Sequence, residues 1–372
     1  MFYLPTKEEC DEIVSKSKQF FCKSFIFNNK EVVVYHYKQG NYDEFKKFNA
    51  WELRGLTFVK EKNKWRRFLA IHKFFELNQA PGWTEEDLKN KKVIKVSEKI
   101  DGTFVHPIII DNQIFFKSKL RFDSHQALSA QKIYENSVNL QKFMDFCIKR
   151  EFSPMFEYIS EKSQVVMDYK KEALILIQIR DKKGNYILDF EKIADDFNIE
   201  YAEVCENKPL CEYMRNQNVC KSKEGWILIF EDMKFVKVKT TEYLKRHKIV
   251  ADIKEHNIIQ MILNNEIAQL FDILNPKSEK YEFVKSVYDK FNKKYDSLQR
   301  EILNIINNFQ GTNKEFREAY QNYPFYAILS EAYKKRKKQN PKETIKNWVV
   351  NNTKKLKNAK RFLEENSDYI EK

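Results

Sequence analysis

The stretch VIKVSEKIDGT, residues 93–103, decides how this chain is read. Its β-branched start reads as a strand that carries Lys99 to a rim, and Asp101-Gly102 supplies a tight turn immediately beyond. A lysine delivered to a strand end two residues before such a turn is a candidate nucleophile. The same letters also spell an ordinary hairpin with an exposed lysine. The rest of the chain has to separate the two.

Working outward, Thr6 and Glu9 have the spacing of a capping box and open a helix to about residue 20. Short β-branched or aromatic runs follow at 24–27, 31–37, 56–59, 66–71, 93–100, 108–110 and 114–119. A helical stretch at 124–149 interrupts them. Strands resume at 155–159, 165–168, 174–180, 225–230 and 233–239. The pattern is α+β and lacks the regular alternation of a dinucleotide fold. Past residue 240 the period changes: Val284, Val287, Tyr288, Phe291, Tyr295, Leu298, Ile302, Ile305 and Phe309 recur at three-to-four spacing, which predicts one long amphipathic helix. With Asn275-Pro276, Gly311 and Asn340-Pro341 as punctuation, the segment predicts a bundle of about five helices. The expected domains are 1–240 and an all-helical 241–372.

A chain of 372 residues can bury a sizeable core in two domains. Sixty-seven basic against 54 acidic residues leave +13, which favours a polyanionic partner, nucleic acid first. From Thr241 onward there are 26 Lys and Arg against 18 Asp and Glu, so a surplus of 8 lies in the helical segment. Thirty Phe and 19 Tyr can furnish stacking platforms, although aromatics more often fill a core. Cys10, Cys22, Cys147, Cys205, Cys211 and Cys220 lack CxxC spacing and read as free thiols, and no structural metal is expected. No apolar run is long enough to span a bilayer and the first residues lack the regions of a signal peptide, so a cytoplasmic protein is expected.

Downstream of Lys99, charged residues recur inside β-rich runs. Period-two alternation puts Phe235, Lys237 and Lys239 on one face of their strand, and Lys117 and Lys119 on one face behind Phe115. Lys237 and Lys239 beside Lys99 would favour its neutral, attacking form. An edge strand guarded by charges gives the same letters. Glu157, between Phe156 and Tyr158, needs a partner if buried. The run Lys334 to Lys338 is the strongest basic feature, readable either as a solvated helix face or as a phosphate track.

Taken together, WELRGLTF (51–58), HKFFELNQ (72–79), EKIDGTFV (98–105), FKSK (116–119), HQAL (125–128), MFEYIS (155–160), LILIQIRD (174–181), EGWILIF (224–230) and FVKVKT (235–240) resemble the RNA ligase 1 family of covalent lysine nucleotidyltransferases. The likeness spans about residues 30 to 245 and is thin beyond. Ile100 and Glu98 depart from the family pattern around the lysine.

The resemblance implies an antiparallel-sheet nucleotidyltransferase domain followed by an all-α domain. It implies an ATP-dependent RNA ligase, phage-like, joining 5′-phosphate and 3′-hydroxyl ends through a lysyl-AMP on Lys99. Asp101, Gly102, Lys119, Lys237 and Lys239 share the catalytic centre. Arg54, Lys73, Phe75 and Lys117 lie near the nucleotide. Glu157 meets a ribose hydroxyl, and Ile177 and Ile227 clamp adenine, where core strands would use the same residues. Glu224 helps to hold Mg2+, with Mn2+ able to substitute. Nicked tRNA is the implied substrate of a monomeric protein in the cytoplasm, of a host cell if the source is viral. Lys334, Lys335 and Lys338 are candidate RNA contacts. Two rivals stand: a DNA ligase or capping-type nucleotidyltransferase, and a non-catalytic RNA-binding protein on a decayed ligase fold.

Overall fold

The computed structural model describes residues 3–364 and divides into two compact units, Met1–Lys245 and Arg246–Lys372. The first two residues and 365–372, the end of the expected helical domain, lie outside the described residues.

The first unit opens with α1 (Lys7–Lys16), started by the Thr6–Glu9 capping box. It stops short of residue 20 because Phe20 already begins a strand and is buried. Four antiparallel strands form the first sheet in sequence order: β1 (Phe20–Phe27), β2 (Lys30–Tyr37), β3 (Leu56–Glu61) and β4 (Lys64–Phe68). The unexpected helix α2 (Tyr42–Phe48) joins β2 to β3. β4 ends before residue 71, since the Ala70 carbonyl accepts a hydrogen bond from Arg180 in place of a ladder partner.

The second and third sheets hold the chemistry-bearing stretches. β5 (Phe75–Glu76) and α3 (Glu85–Leu88) precede β6 (Val93–Lys99), β7 (Thr103–Ile110) and β8 (Gln113–Ser118). The helical stretch 124–149 is two helices, α4 (His125–Glu135) and α5 (Val138–Lys149), because Ser137 caps a new start through the Leu140 amide. β9 (Ser153–Ile159), β10 (Ala173–Arg180), α6 (Phe190–Asp196), β11 (Val204–Cys205), α7 (Leu210–Val219), β12 (Gly225–Phe230) and β13 (Phe235–Lys239) follow. The second sheet runs β10-β9-β7-β8 and the third β11-β6-β12-β13-β5, antiparallel except where β5 lies parallel to β13. No strand forms at 165–168, where the Val166 and Met167 amides bind the Asp101 carboxylate. Met233, at a φ of 60°, belongs to the turn, so the last strand starts at Phe235.

Two buried layers fix these sheets. Phe116, Phe143, Met144, Phe156 and Leu176 pack α4 and α5 against the second sheet. Between sheets, fully buried Arg180 makes a bidentate ion pair with Glu52, both contacts 2.7 Å, and donates to the Ala70 carbonyl at 2.8 Å. That pair ties the end of β10 to the loop that carries Arg54.

α8 (Thr241–Ala251) leads into α9 (Glu255–Leu263), α10 (Ala268–Ile273), α11 (Glu279–Asn308), α12 (Asn313–Tyr320), α13 (Tyr326–Lys335), α14 (Pro341–Asn352) and α15 (Leu356–Leu363). The described residues thus hold eight helices from Thr241 where the punctuation predicted about five. Two of the extra ends are made without Gly or Pro: Asn265 turns left-handed after α9, and the Thr353 hydroxyl donates to the Val349 carbonyl after α14. α11 buries Val284, Val287, Phe291, Leu298 and Ile302 as expected, with Ile306 in place of Ile305. The expected α+β architecture, antiparallel sheets and then helices, holds. All six cysteines are free, and among the described residues no helix is long and apolar enough to cross a membrane.

Removing one partner of a buried ion pair leaves the other charge uncompensated, a loss of about 3–5 kcal/mol. Glu52→Gln and Arg180→Met should each lower the unfolding free energy by that order in a urea titration. A change as small as that of an exposed pair would place the Arg180–Glu52 contact outside the folded core.

Candidate active site

The third sheet sets the geometry through one glycine. Gly225 is paired with Lys99 across β6 and with Lys239 across β13. Its φ of +156° and the 2.1 Å that would separate a Cβ from the Val238 carbonyl oxygen exclude any side chain. Glu224, the preceding residue, therefore lies between the two lysines: its Oε2 is 2.6 Å from Lys99 Nζ and its Oε1 3.9 Å from Lys239 Nζ. Lys239 also meets Glu76 at 2.6 Å. Lys237, two residues earlier on the same face, donates to the Phe74 carbonyl at 3.2 Å.

These strands wall a cavity of about 240 Å3 lined by Arg54, Lys99, Lys119, Glu157, Ile177, Ile227, Lys237 and Lys239. Eight of the residues expected at the site thus converge on one space. Phe74, Phe104 and Phe235 also line it and went unnamed as site residues. Phe235 shares the period-two face of Lys237, so the signal for it was present. Gln178 had none, because a bulge between Leu176 and Gln178 shifts the ladder and lets Ile177 and Gln178 face the cavity together.

Other expected residues stand behind the lining. The Lys117–Lys119 alternation fails because β8 ends at Ser118. Lys119 reaches the cavity, while fully buried Lys117 bonds His106 Nε2 at 3.2 Å and the Lys119 carbonyl at 3.0 Å. Lys73 is buried with its Nζ 4.1 Å from the centroid of the Phe75 ring, and Phe75 itself is buried beside Val236. Asp101, 4% exposed, engages both carboxylate oxygens: Oδ2 accepts the Val166 and Met167 amides at 2.8 and 2.7 Å, and Oδ1 accepts the Tyr243 hydroxyl at 2.8 Å. Gly102 packs so tightly that a Cβ would sit 2.3 Å from the Tyr158 carbonyl oxygen and 2.9 Å from Glu157 Cγ.

The electrostatics correct one expectation. Burial works to lower the Lys99 pKa, but Glu224 and Glu157 outweigh it and hold the amine above its ordinary value, as an ammonium. The depressed amines are its neighbours. Lys119 falls to about 8 through Arg54 and burial, and Lys237 falls well below its usual range through burial and then Arg54. Burial raises Glu157 to about 7 against the pull of Lys99 and Lys119, and it raises Glu224 as well. Such a crowd of cations in a dry wall favours a polyanionic ligand. Among the described residues no group of three or more His, Cys, Asp or Glu could hold a metal ion. A cation here would rest on Glu224 and on oxygens brought by the ligand, which suits Mg2+.

A family model described as RNA ligase matches residues 52–244. A curated Thermovibrio ammonificans protein, assigned as an RNA ligase, is 27% identical over 74% of this chain and 78% of its own. Among solved structures the chain is similar to an archaeal ATP-dependent RNA ligase, at 11% identity, 68% of this chain, 64% of that one and a TM-score of 0.46. It is similar also to a Naegleria gruberi RNA ligase with pyrophosphate, at 19% identity, 44% of this chain, 54% of that one and a TM-score of 0.36. The chain thus spans less than two thirds of either solved neighbour.

Burial lowers the Lys117 pKa from 10.5 to about 7. Between those values the unfolded chain holds a proton that the folded chain lacks, so stability from this group rises with pH across the window. In Lys117→Met that rise disappears, and the slope of unfolding free energy against pH should flatten by about 1.4 kcal/mol per unit near the middle of the window. Parallel slopes for the two proteins between pH 7 and 10.5 would show Lys117 charged in the fold.

Proposed function

Because the chain belongs to the RNA ligase family, we propose that it uses ATP to seal RNA ends through a lysyl-AMP intermediate on Lys99. The observation that carries this reading is the register of β6, β12 and β13, which gathers Lys99, Glu224, Lys237 and Lys239 at one cavity with Arg54, Lys119 and Glu157.

In the first step Lys99 Nζ attacks the α-phosphorus of ATP; the new P–N bond replaces the bond to pyrophosphate, which leaves. In the second, an RNA 5′-phosphate oxygen takes the adenylyl group and Lys99 is released. In the third, a 3′-hydroxyl attacks the activated 5′-phosphate, AMP leaves and the strand is closed. Each transfer moves a phosphoryl centre in line, so positioning and fixed charge supply most of the acceleration.

The residues divide this work. Ile177 and Ile227 would hold adenine between aliphatic side chains, and Glu157 a ribose hydroxyl. Arg54 grips phosphate oxygens with a planar fork that lysine lacks. Lys119, Lys237 and Lys239 offset charge growing on the α-phosphate. Glu224 has two tasks in sequence: it holds Lys99 in place as an ion pair, and it would then carry Mg2+ or Mn2+ together with the phosphates. A divalent ion held there would supply charge neutralisation for the leaving pyrophosphate.

The rivals weigh less. DNA ligases and capping enzymes typically follow the Lys-x-Lys strand with a β-rich domain, whereas no strand follows Lys239 among the described residues. A decayed fold would have lost one of the charged positions, and the sequence keeps each of them. The partner we propose is RNA with 5′-phosphate and 3′-hydroxyl ends, nicked tRNA in particular, bound in part by the basic helical unit. There α13 ends at Lys335, so the run Lys334 to Lys338 is a helix end and turn, with Arg336 folded 3.5 Å over the Tyr333 ring. Lys334 and Lys338 are exposed, and Lys335 pairs with half-buried Glu331 at 2.7 Å.

Incubated with α-labelled ATP and a divalent cation, the chain should take up label, and Lys99→Ala should take up none while remaining folded. Label on the alanine variant at the ordinary level contradicts the assignment. Replacing Lys334, Lys335 and Lys338 with Ala should flatten log affinity for tRNA against log salt by roughly two units, at about 0.9 per phosphate neutralised. Lys99 labelling should be unaffected, and an unchanged slope makes the run a solvated surface.

A further inference from the structure

Tyr243 has no place in the cavity lining, yet its side chain meets two charged residues of the site, Asp101 and Lys239. It lies in the first turn of α8, within the first unit, and is 4% exposed. Its hydroxyl donates to Asp101 Oδ1 at 2.8 Å, so it grips the turn two residues beyond Lys99. Its ring centroid is 5.6 Å from Lys239 Nζ, within range of a cation–π contact. Burial, then the charges of Glu224 and Asp101, push its pKa up, which keeps the hydroxyl a donor throughout the working pH range.

The backbone around it is fixed with equal care. Thr240, fully buried, sends its N–H to the Glu224 carbonyl at 2.8 Å and its hydroxyl to the Lys223 carbonyl at 2.9 Å, while its Oγ1 accepts the Tyr243 amide at 3.2 Å. The start of α8 is thereby bolted to the residue that bears the Glu224 carboxylate. One aromatic side chain then spans from that bolt to the turn of the nucleophile. Asp101 completes the span: its other oxygen holds the Val166 and Met167 amides, and its own N–H donates to the Tyr169 hydroxyl at 3.0 Å.

The geometry points to Tyr243 as a positioning residue for adenylyl transfer, holding the Lys99 turn through Asp101 and flanking Lys239 with its ring. Nothing of its side chain reaches the reacting atoms, so it acts on the rate through the alignment of Lys99 and Lys239. The inference rests on the reading of Lys99 as the nucleophile. A filler of the core would need no hydroxyl; a positioning residue needs both the hydroxyl and the ring.

The test uses the full chain with ATP and a divalent cation, comparing Tyr243→Phe, Asp101→Asn and the double variant. A hydrogen bond to a charged acceptor is lost in Tyr243→Phe, so the maximal rate of Lys99 labelling should fall roughly ten- to a hundredfold. The KM for ATP should stay within about twofold, since no nucleotide contact is removed. Because the Tyr243 hydroxyl acts through its bond to Asp101, the double variant should be no slower than the slower single variant. An unchanged maximal rate in folded Tyr243→Phe overturns the inference, as does a rise in KM that accounts for the whole loss, or a double variant whose defect is the product of the single ones. A wild-type chain that takes no label fails differently: it removes the nucleophile reading itself, and this inference with it.

Discussion

The site depends on the register of three strands about Gly225. Only a residue without a Cβ lets β12 approach β13 there, and only that approach sets Lys99 and Lys239 on either side of the same position. A shift by one residue would turn Lys237 and Lys239 to the opposite face of the sheet and point Val236 and Val238 at the cavity. The apolar partners make that shift expensive: Leu228, Phe230, Val236 and Val238 are buried in one cluster on the far face. Packing on one side of the sheet thus enforces charge on the other.

What the register gathers is an electrostatic imbalance. Arg54, Lys99, Lys119, Lys237 and Lys239 share a cavity with Glu157, and with Glu224 at its edge, so cations outnumber anions before any ligand arrives. Low dielectric strengthens every one of those interactions. The lowered pKa of Lys119, set first by Arg54, is the signature of that crowding, while burial leads in lowering Lys237. Lys99 escapes the same depression because Glu224 is its close partner. The carboxylate therefore holds the amine protonated and in place.

Much of this was legible in the sequence, for physical reasons that differ from residue to residue. Period-two alternation is a property of the strand itself, so Lys237 and Lys239 fell on one face as read, and Lys99 at its rim. The same rule failed for Lys117 and Lys119 because the strand stops between them, a fact set by tertiary contacts. The bulge that turns Gln178 into the cavity, the Arg180–Glu52 pair that spans 128 residues of sequence, and the Tyr243–Asp101 bond are long-range partnerships, and no local pattern announces them. The expected depression of the Lys99 pKa counted cations along the chain without seeing that Glu224 would sit nearest. Helices of the second unit were undercounted in part because Asn265 and Thr353 end two of them without the Gly and Pro that mark a stop in sequence.

The central claim is that Lys99, among all the lysines around this cavity, is the amine that bonds to phosphorus. Its most direct test is the intact mass of the chain after incubation with ATP and Mg2+, followed by peptide mapping of the adduct. The account requires a single adenylyl group, located on Lys99, that is lost when RNA with a 5′-phosphate end is added. An adduct on Lys119, Lys237 or Lys239, or a chain that gains no mass while remaining folded, would contradict it.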